Sequence, residues 1–129
     1  MSLPITSLSA IFAAALITVL TVQVIRLRRK DGVVLGDNGD RVLAKAIRGH
    51  ANATEQLPIA LILMGLAEVQ GAPPALLWLS AAALIAGRTM HATYFGIHGM
   101  HWKLRFYGMW LTFAAQVLLI LSLLIALLS

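Results

Sequence analysis

Apolar side chains in this chain fall in four long blocks, separated by short stretches crowded with charge, glycine and proline. The blocks predict four helices, at about residues 3–29, 41–69, 73–96 and 104–128. A helix crossing the hydrocarbon of a bilayer needs roughly 20 residues at about 1.5 Å each. All four segments are long enough. The expected fold is therefore all-α, an integral membrane four-helix bundle formed by a single domain over residues 1–129.

The second block differs from the others. Only "LPIALILMGLA" is uniformly apolar, and the turns before it carry "RGHANATEQ", so they are expected to protrude or to face inward. Pro58 cannot donate to the carbonyl of Thr54, which predicts a bend at that point. The connections also have distinct chemistry. "KDGVVLGDNGD" is a Gly/Asp/Asn loop that leaves Asp40 as the N-cap of the second helix. "QGAPP" is a tight, uncharged turn, with Pro73 and Pro74 suited to a first helical turn. "FGIHGMHWK" is a glycine-punctuated turn rich in histidine.

Composition supports the membrane reading. Of 129 residues, 60% are hydrophobic and only 12% charged, and a mean hydropathy of +0.86 leaves too little polar surface for a soluble fold. All ten Lys and Arg fall in three clusters, Arg26 to Lys30, Arg41 to Arg48 and Arg88 to Arg105. A pI near 10.5 invites a nucleic-acid reading, but no binding motif accompanies the charge, so no nucleic-acid partner is expected. The basic residues sit instead at the ends of apolar blocks, where they report orientation. The 1–2 and 3–4 loops with adjacent helix ends hold ten basic residues against Asp31, Asp37, Asp40 and Glu55, a net of +6, while the rest holds only Glu68, a net of −1. The positive-inside rule then makes both charged loops cytoplasmic and both termini periplasmic. The first block carries its charge after the apolar core, unlike a signal peptide, and reads as a retained span. With no cysteine, disulfides, thiolate metal sites and a cysteine nucleophile are excluded.

The candidate chemistry centres on the second helix. Arg48, Asn52 and Glu55 are spaced i, i+4, i+7 and share one face over about 10 Å; Arg41 and Lys45 extend it. A carboxylate inside the hydrocarbon is costly unless paired or wetted, so Glu55 is expected to face an interior cationic cleft, with Arg48 or an arginine of another helix as its partner. Arg26, Arg88 and Arg105 lie near the same cytoplasmic level, and Arg88, His91 and Tyr94 follow one another at i+3. Four arginines from four helices thus converge with one carboxylate to neutralise them. Arginine stays charged, so the excess calls for lipid phosphate or a small polyanionic ligand.

Plainer readings compete. Arg28, Arg29 and Lys103 suit snorkelling to headgroups, and Asn52 with Glu55 could be an inter-helix polar clamp. Glu68 is expected to be solvated near the opposite surface. His50, His91, His98 and His101 have no carboxylate at ligand spacing, so no metal site is expected. Trp102, Phe106, Tyr107 and Trp110 suit interfacial anchoring, and the small residues of "SAAALIAGR" suit close helix packing. An ion or proton pathway around Glu55 is disfavoured, because the polar groups lie towards one face.

The motifs "QVIRLRRKDG", "LGDNGDRVLAKAIRGHANATEQLPIALILMGLAE", "AGRTMHATY" and "RFYGMWLTF" resemble, in order, the MAPEG family, the membrane-associated proteins in eicosanoid and glutathione metabolism. The similarity spans nearly the whole chain and resembles the bacterial members. Its most specific part is an Arg-x-His-x-Asn-x-x-Glu pattern followed by proline. The resemblance implies a homotrimer that binds glutathione as co-substrate between neighbouring subunits, at the cytoplasmic level. Family enzymes transfer glutathione to lipophilic electrophiles or reduce lipid hydroperoxides; some relatives only bind lipid. By position it implies glutathione contacts at Arg26, His50, Asn52, Glu55, Arg88 and His91, and a catalytic Arg105 near the thiol. Arg48 and Tyr94 complete the candidate set. The chain departs from the family at Ala51, where many animal members carry arginine, and at Phe95, where the helix-three tyrosine usually falls.

The chemistry of the ligand agrees with these residues. Glutathione carries two carboxylates, which suit guanidinium groups, and one amine, which suits Glu55. A thiol of pKa about 8.5 gains thiolate beside a cation such as Arg105. The expected function is a membrane-bound glutathione transferase or peroxidase acting on a hydrophobic small molecule or lipid. The alternative is a non-enzymatic lipid-binding or scaffold protein of the same fold.

Overall fold

The computed structural model describes residues 2–128. They form four helices, α1 (Pro4–Asp31), α2 (Arg41–Val69), α3 (Pro74–Gly96) and α4 (Lys103–Leu128). At 23 to 29 residues each helix is about 34–44 Å long. The helix ends follow local chemistry. Gly32 closes α1 at φ 64°, a left-handed conformation that suits glycine, and both Gly32 and Val33 donate to the Arg28 carbonyl. Asp40 caps α2 through a 2.7 Å bond from Val42 N to its Oδ1. Pro73 and Pro74 open α3. α2 continues as one helix through Pro58, which sits on an exposed face.

Arg28 corrects one expectation. Its guanidinium turns back into the 1–2 loop, donating to the carbonyls of Val34 at 3.2 Å and Gly36 at 2.9 Å. Loop carbonyls next to a helix end are nearer partners than headgroups, so the side chain secures the loop.

Three helices, α1, α3 and α4, are long and apolar enough to cross a membrane by themselves. α2 falls short because its first half carries Arg41, Lys45, Arg48 and Glu55. Packing brings it into the bundle. Leu43, Ala46, Gly49, Ala53, Leu57, Ala60, Met64 and Ala67 recur every three or four residues and are all buried, so one stripe faces the core and leaves the polar stripe opposite. Leu20, Leu57, Met64, Leu77, Leu84 and Leu119 fill the centre, while Ile11, Val19, Leu79 and Val117 face outward, as lipid-facing positions should. α1 packs on α2 and α3 and its backbone does not come close to that of α4, whereas α3 and α4 pair most closely.

Close approach depends on glycine at two crossings. A Cβ on Gly49 would stand 2.5 Å from Cβ of Phe95, and one on Gly87 2.7 Å from the Gly108 carbonyl oxygen. Ser80 and Ala81, about two turns before Gly87, are buried as well, so the small residues of α3 serve helix packing.

Glu68 is not simply solvated. Its carboxylate accepts from Ile5 N at 3.0 Å, Thr6 N at 2.9 Å and Thr6 Oγ1 at 2.6 Å. α1 has no side-chain cap of its own at Leu3, and the free N–H groups of its first turn attract an anion. The last turn of α2 supplies it.

Candidate functional site

The polar stripe of α2, the C-terminal half of α3 and the first turns of α4 enclose a cavity of about 470 Å³. From α2 come Arg48, Ala51, Asn52 and Glu55; from α3, His91 and Phe95; from α4, Arg105, Phe106, Met109, Trp110 and Phe113. The glycine crossing sets this geometry. His91 N and Cβ lie 2.8 and 3.1 Å from where a Gly108 Cβ would be, so the imidazole sits hard against α4 at the cavity wall.

Arg88 occupies a different place from the other arginines. It is fully buried behind the wall. Its Nη1 donates to Asn52 Oδ1 at 2.9 Å and approaches Met109 Sδ at 3.7 Å, and its Nη2 meets His91 Nδ1 at 3.3 Å. Among the described residues its Nε–H has no partner. A buried cation without a counter-ion is costly in a low dielectric, and the field it sets up favours an anion in the cavity. Among the described residues Glu55 is the one carboxylate on the cavity wall; it is exposed there, where an interior position was the expectation.

Of the residues singled out from sequence, Arg48, Asn52, Glu55, His91 and Arg105 come together on this wall, and Arg88 supports two of them. Three others lie elsewhere. Tyr94 is outside the lining, its ring 4.0 Å from Lys45 Nζ and 5.7 Å from the Arg105 guanidinium carbon. Its neighbour Phe95 lines the cavity instead, with its ring 4.8 Å from that of His91. His50 is half-buried on α2 outside the lining. Arg26 lines a separate groove of about 700 Å³ between α1 and α3, together with Leu16, Val19, Gln23 and Thr93. Because the backbone of α1 does not come close to that of α4, one chain does not carry Arg26 to the cavity; the four expected arginines reduce to three.

The apolar half of the wall was missed as a site. Phe106 and Trp110 were expected to anchor at the interface, yet both line the cavity with Met109 and Phe113. Edge-on contacts join them, Phe106 to Trp110 at 6.2 Å and Trp110 to Phe113 at 6.4 Å. Positions 106, 109, 110 and 113 follow i, i+3, i+4, i+7 from the turn that carries Arg105, and this spacing was a readable signal. Trp102 and Tyr107 remain exposed, outside the lining.

Comparison with known proteins agrees with the fold. Inner membrane protein YecN of Escherichia coli K12 is 38% identical over 118 residues, covering 92% of this chain and 88% of that protein. YecN of Escherichia coli O6:H1 matches to the same extent. That name gives a location and no reaction. The MAPEG family model matches residues 6–125, nearly the full length over which the four helices and the cavity are built, and so the chain belongs to the MAPEG family.

Proposed function

We propose that this membrane protein uses glutathione as a co-substrate, transferring it to lipophilic electrophiles or reducing lipid hydroperoxides with it. The observation that carries the reading is the cavity's two-sided wall. Arg48 and Arg105 with the buried Arg88 behind them outnumber Glu55, and Phe106, Trp110 and Phe113 of α4 line the same cavity. The cationic side fits the glutathione carboxylates, Glu55 fits the amine, and the aromatic side fits an apolar second substrate arriving from lipid. Arg105 stabilises the thiolate. In transfer to chlorodinitrobenzene, the sulfur forms the new C–S bond and chloride leaves. In peroxide reduction, two glutathione molecules become one disulfide while the hydroperoxide yields an alcohol and water.

The functional unit in this reading is a homotrimer, in which Arg26 of one copy reaches the cavity of the next. The charge asymmetry supports cytoplasmic 1–2 and 3–4 loops and periplasmic termini, and in that orientation the cavity is at the cytoplasmic level.

The test is turnover of chlorodinitrobenzene by purified protein with glutathione. Activity above buffer that falls in Arg105→Ala supports the enzyme; no activity, with parent and variant alike, removes it. The α1–α3 groove, with Arg26 beside apolar Leu16 and Val19, favours a second reading, a protein that only binds lipid. A thermal titration separates the two, because a ligand of the folded state raises the melting point. The enzyme is stabilised by glutathione; the lipid binder is indifferent to it and retains lipid through purification.

A further inference from the structure

We propose that Arg88 is a positioning residue that fixes Asn52 and His91 with their hydrogen-bond donors turned towards the cavity, so that this wall selects a carboxylate. A guanidinium donates only. Whatever meets it must present a lone pair, so the amide atom of Asn52 at 2.9 Å from Nη1 is the oxygen, and Nδ1 of His91 at 3.3 Å from Nη2 is the ring nitrogen without a hydrogen. Both assignments follow from the arginine alone.

Each has a consequence on the far side of the group. With Oδ1 of Asn52 committed to Arg88, its NH2 is the end left for the cavity. With the Nδ1 lone pair of His91 committed, the ring hydrogen sits on Nε2, and that N–H is likewise left for the cavity. Both side chains line it, and Arg88 does not. The wall therefore offers the donors of Asn52 and His91 beside the cationic Arg48 and Arg105, and among the described residues its one carboxylate is Glu55. A ligand bound there places a carboxylate against Asn52 and His91 and an ammonium at Glu55.

Arg88 is well placed for this role. It is fully buried, and its side chain spans from α3 to Asn52 on α2 and Met109 on α4. The orientation of the two groups stands by itself; the identification of the carboxylate with that of glutathione rests on the function proposed above.

The experiment reads the two parts separately. In the full-length protein carrying His50→Gln, His98→Gln and His101→Gln, purified without a histidine tag, His91 is the one histidine. Nitrogen NMR of the labelled ring is expected to show the hydrogen on Nε2; a hydrogen on Nδ1 overturns the proposal. Adding Arg88→Met to the same chain is expected to release the ring into a mixture of tautomers, and an unchanged spectrum removes the role of Arg88. The spectrum of the Arg88-containing chain is decisive even where that variant fails to fold.

The second part uses Asn52→Asp in the otherwise native protein. An aspartate accepts from Arg88 at least as well, but turns an acceptor towards the cavity. The expected result is an unchanged or higher melting point with glutathione binding weakened about tenfold or more; equal affinity overturns the donor assignment. Should glutathione fail to bind the parent, the proposed function falls and the His91 spectrum alone decides the orientation.

Discussion

A Cβ on Gly87 would stand 2.7 Å from the carbonyl oxygen of Gly108, and one on Gly108 the same distance from the carbonyl oxygen of Gly87. The backbones of α3 and α4 meet at this point, one residue from Arg88 and three from Arg105. Because the obstacle is backbone, a methyl group cannot be accommodated by turning a side chain aside. Gly108→Ala should destabilise the protein by about 1–3 kcal/mol and weaken glutathione binding as His91 moves off α4. Thermal melting with and without glutathione checks both. An alanine variant as stable as the parent contradicts the geometry.

Glu68 and the first turn of α1 should behave independently of the cavity. Removing the carboxylate in Glu68→Ala leaves the N–H groups of Ile5 and Thr6 without their partner, a loss of about 0.5–2 kcal/mol by analogy with other helix caps. The melting point should drop while kcat and KM with glutathione stay at parental values, since the cap lies at the end of α2 away from Asn52 and Glu55. A change in KM would show that the two ends of α2 are coupled.

On the proposed function, Arg105 should control the pH at which turnover rises. A cation beside the thiol lowers its pKa, so thiolate is already present at lower pH. In Arg105→Ala that pKa returns towards about 8.5, and the rate should then rise with pH only at more alkaline values. The loss is greatest below the pKa that the thiol has beside Arg105, at about tenfold for each unit of pKa restored, and vanishes above the free thiol's pKa. Rate against pH for both proteins measures this; parallel curves would assign Arg105 to binding only.

Arg26 provides the test of assembly. In one chain it lines the α1–α3 groove, across the bundle from the cavity. If another copy supplies it, Arg26→Ala and Arg105→Ala should each lose activity, and their co-expression should restore part of it, because some shared sites receive Arg26 from one chain and Arg105 from the other. Failure of mixed assemblies to recover any activity would place both residues in a site formed by a single chain.

Much of this architecture was written in local patterns. The four apolar blocks, Asp40 before α2, Gly32 after α1 and the paired prolines before α3 each act within a few residues, through helix geometry, capping and fixed backbone angles. The i, i+4, i+7 spacing of Arg48, Asn52 and Glu55 likewise put them on one face before any neighbour was known. The family motif followed from the same stretch.

What local patterns could not decide was which side chains meet across helices. Arg26, Arg48, Arg88 and Arg105 look equivalent in sequence, as basic residues near one membrane level. Only the separation of the α1 and α4 backbones sets Arg26 apart from the others, and only the Gly87–Gly108 crossing presses His91 against α4. The same holds for Glu68, whose partners are more than 60 residues away, and for Phe106 and Trp110, which face a cavity that exists only once α2 and α3 stand opposite. Periodicity assigns a residue to a face of its own helix. The neighbour that face receives is settled by packing over the whole bundle, where small residues allow backbones to touch and large ones keep them apart.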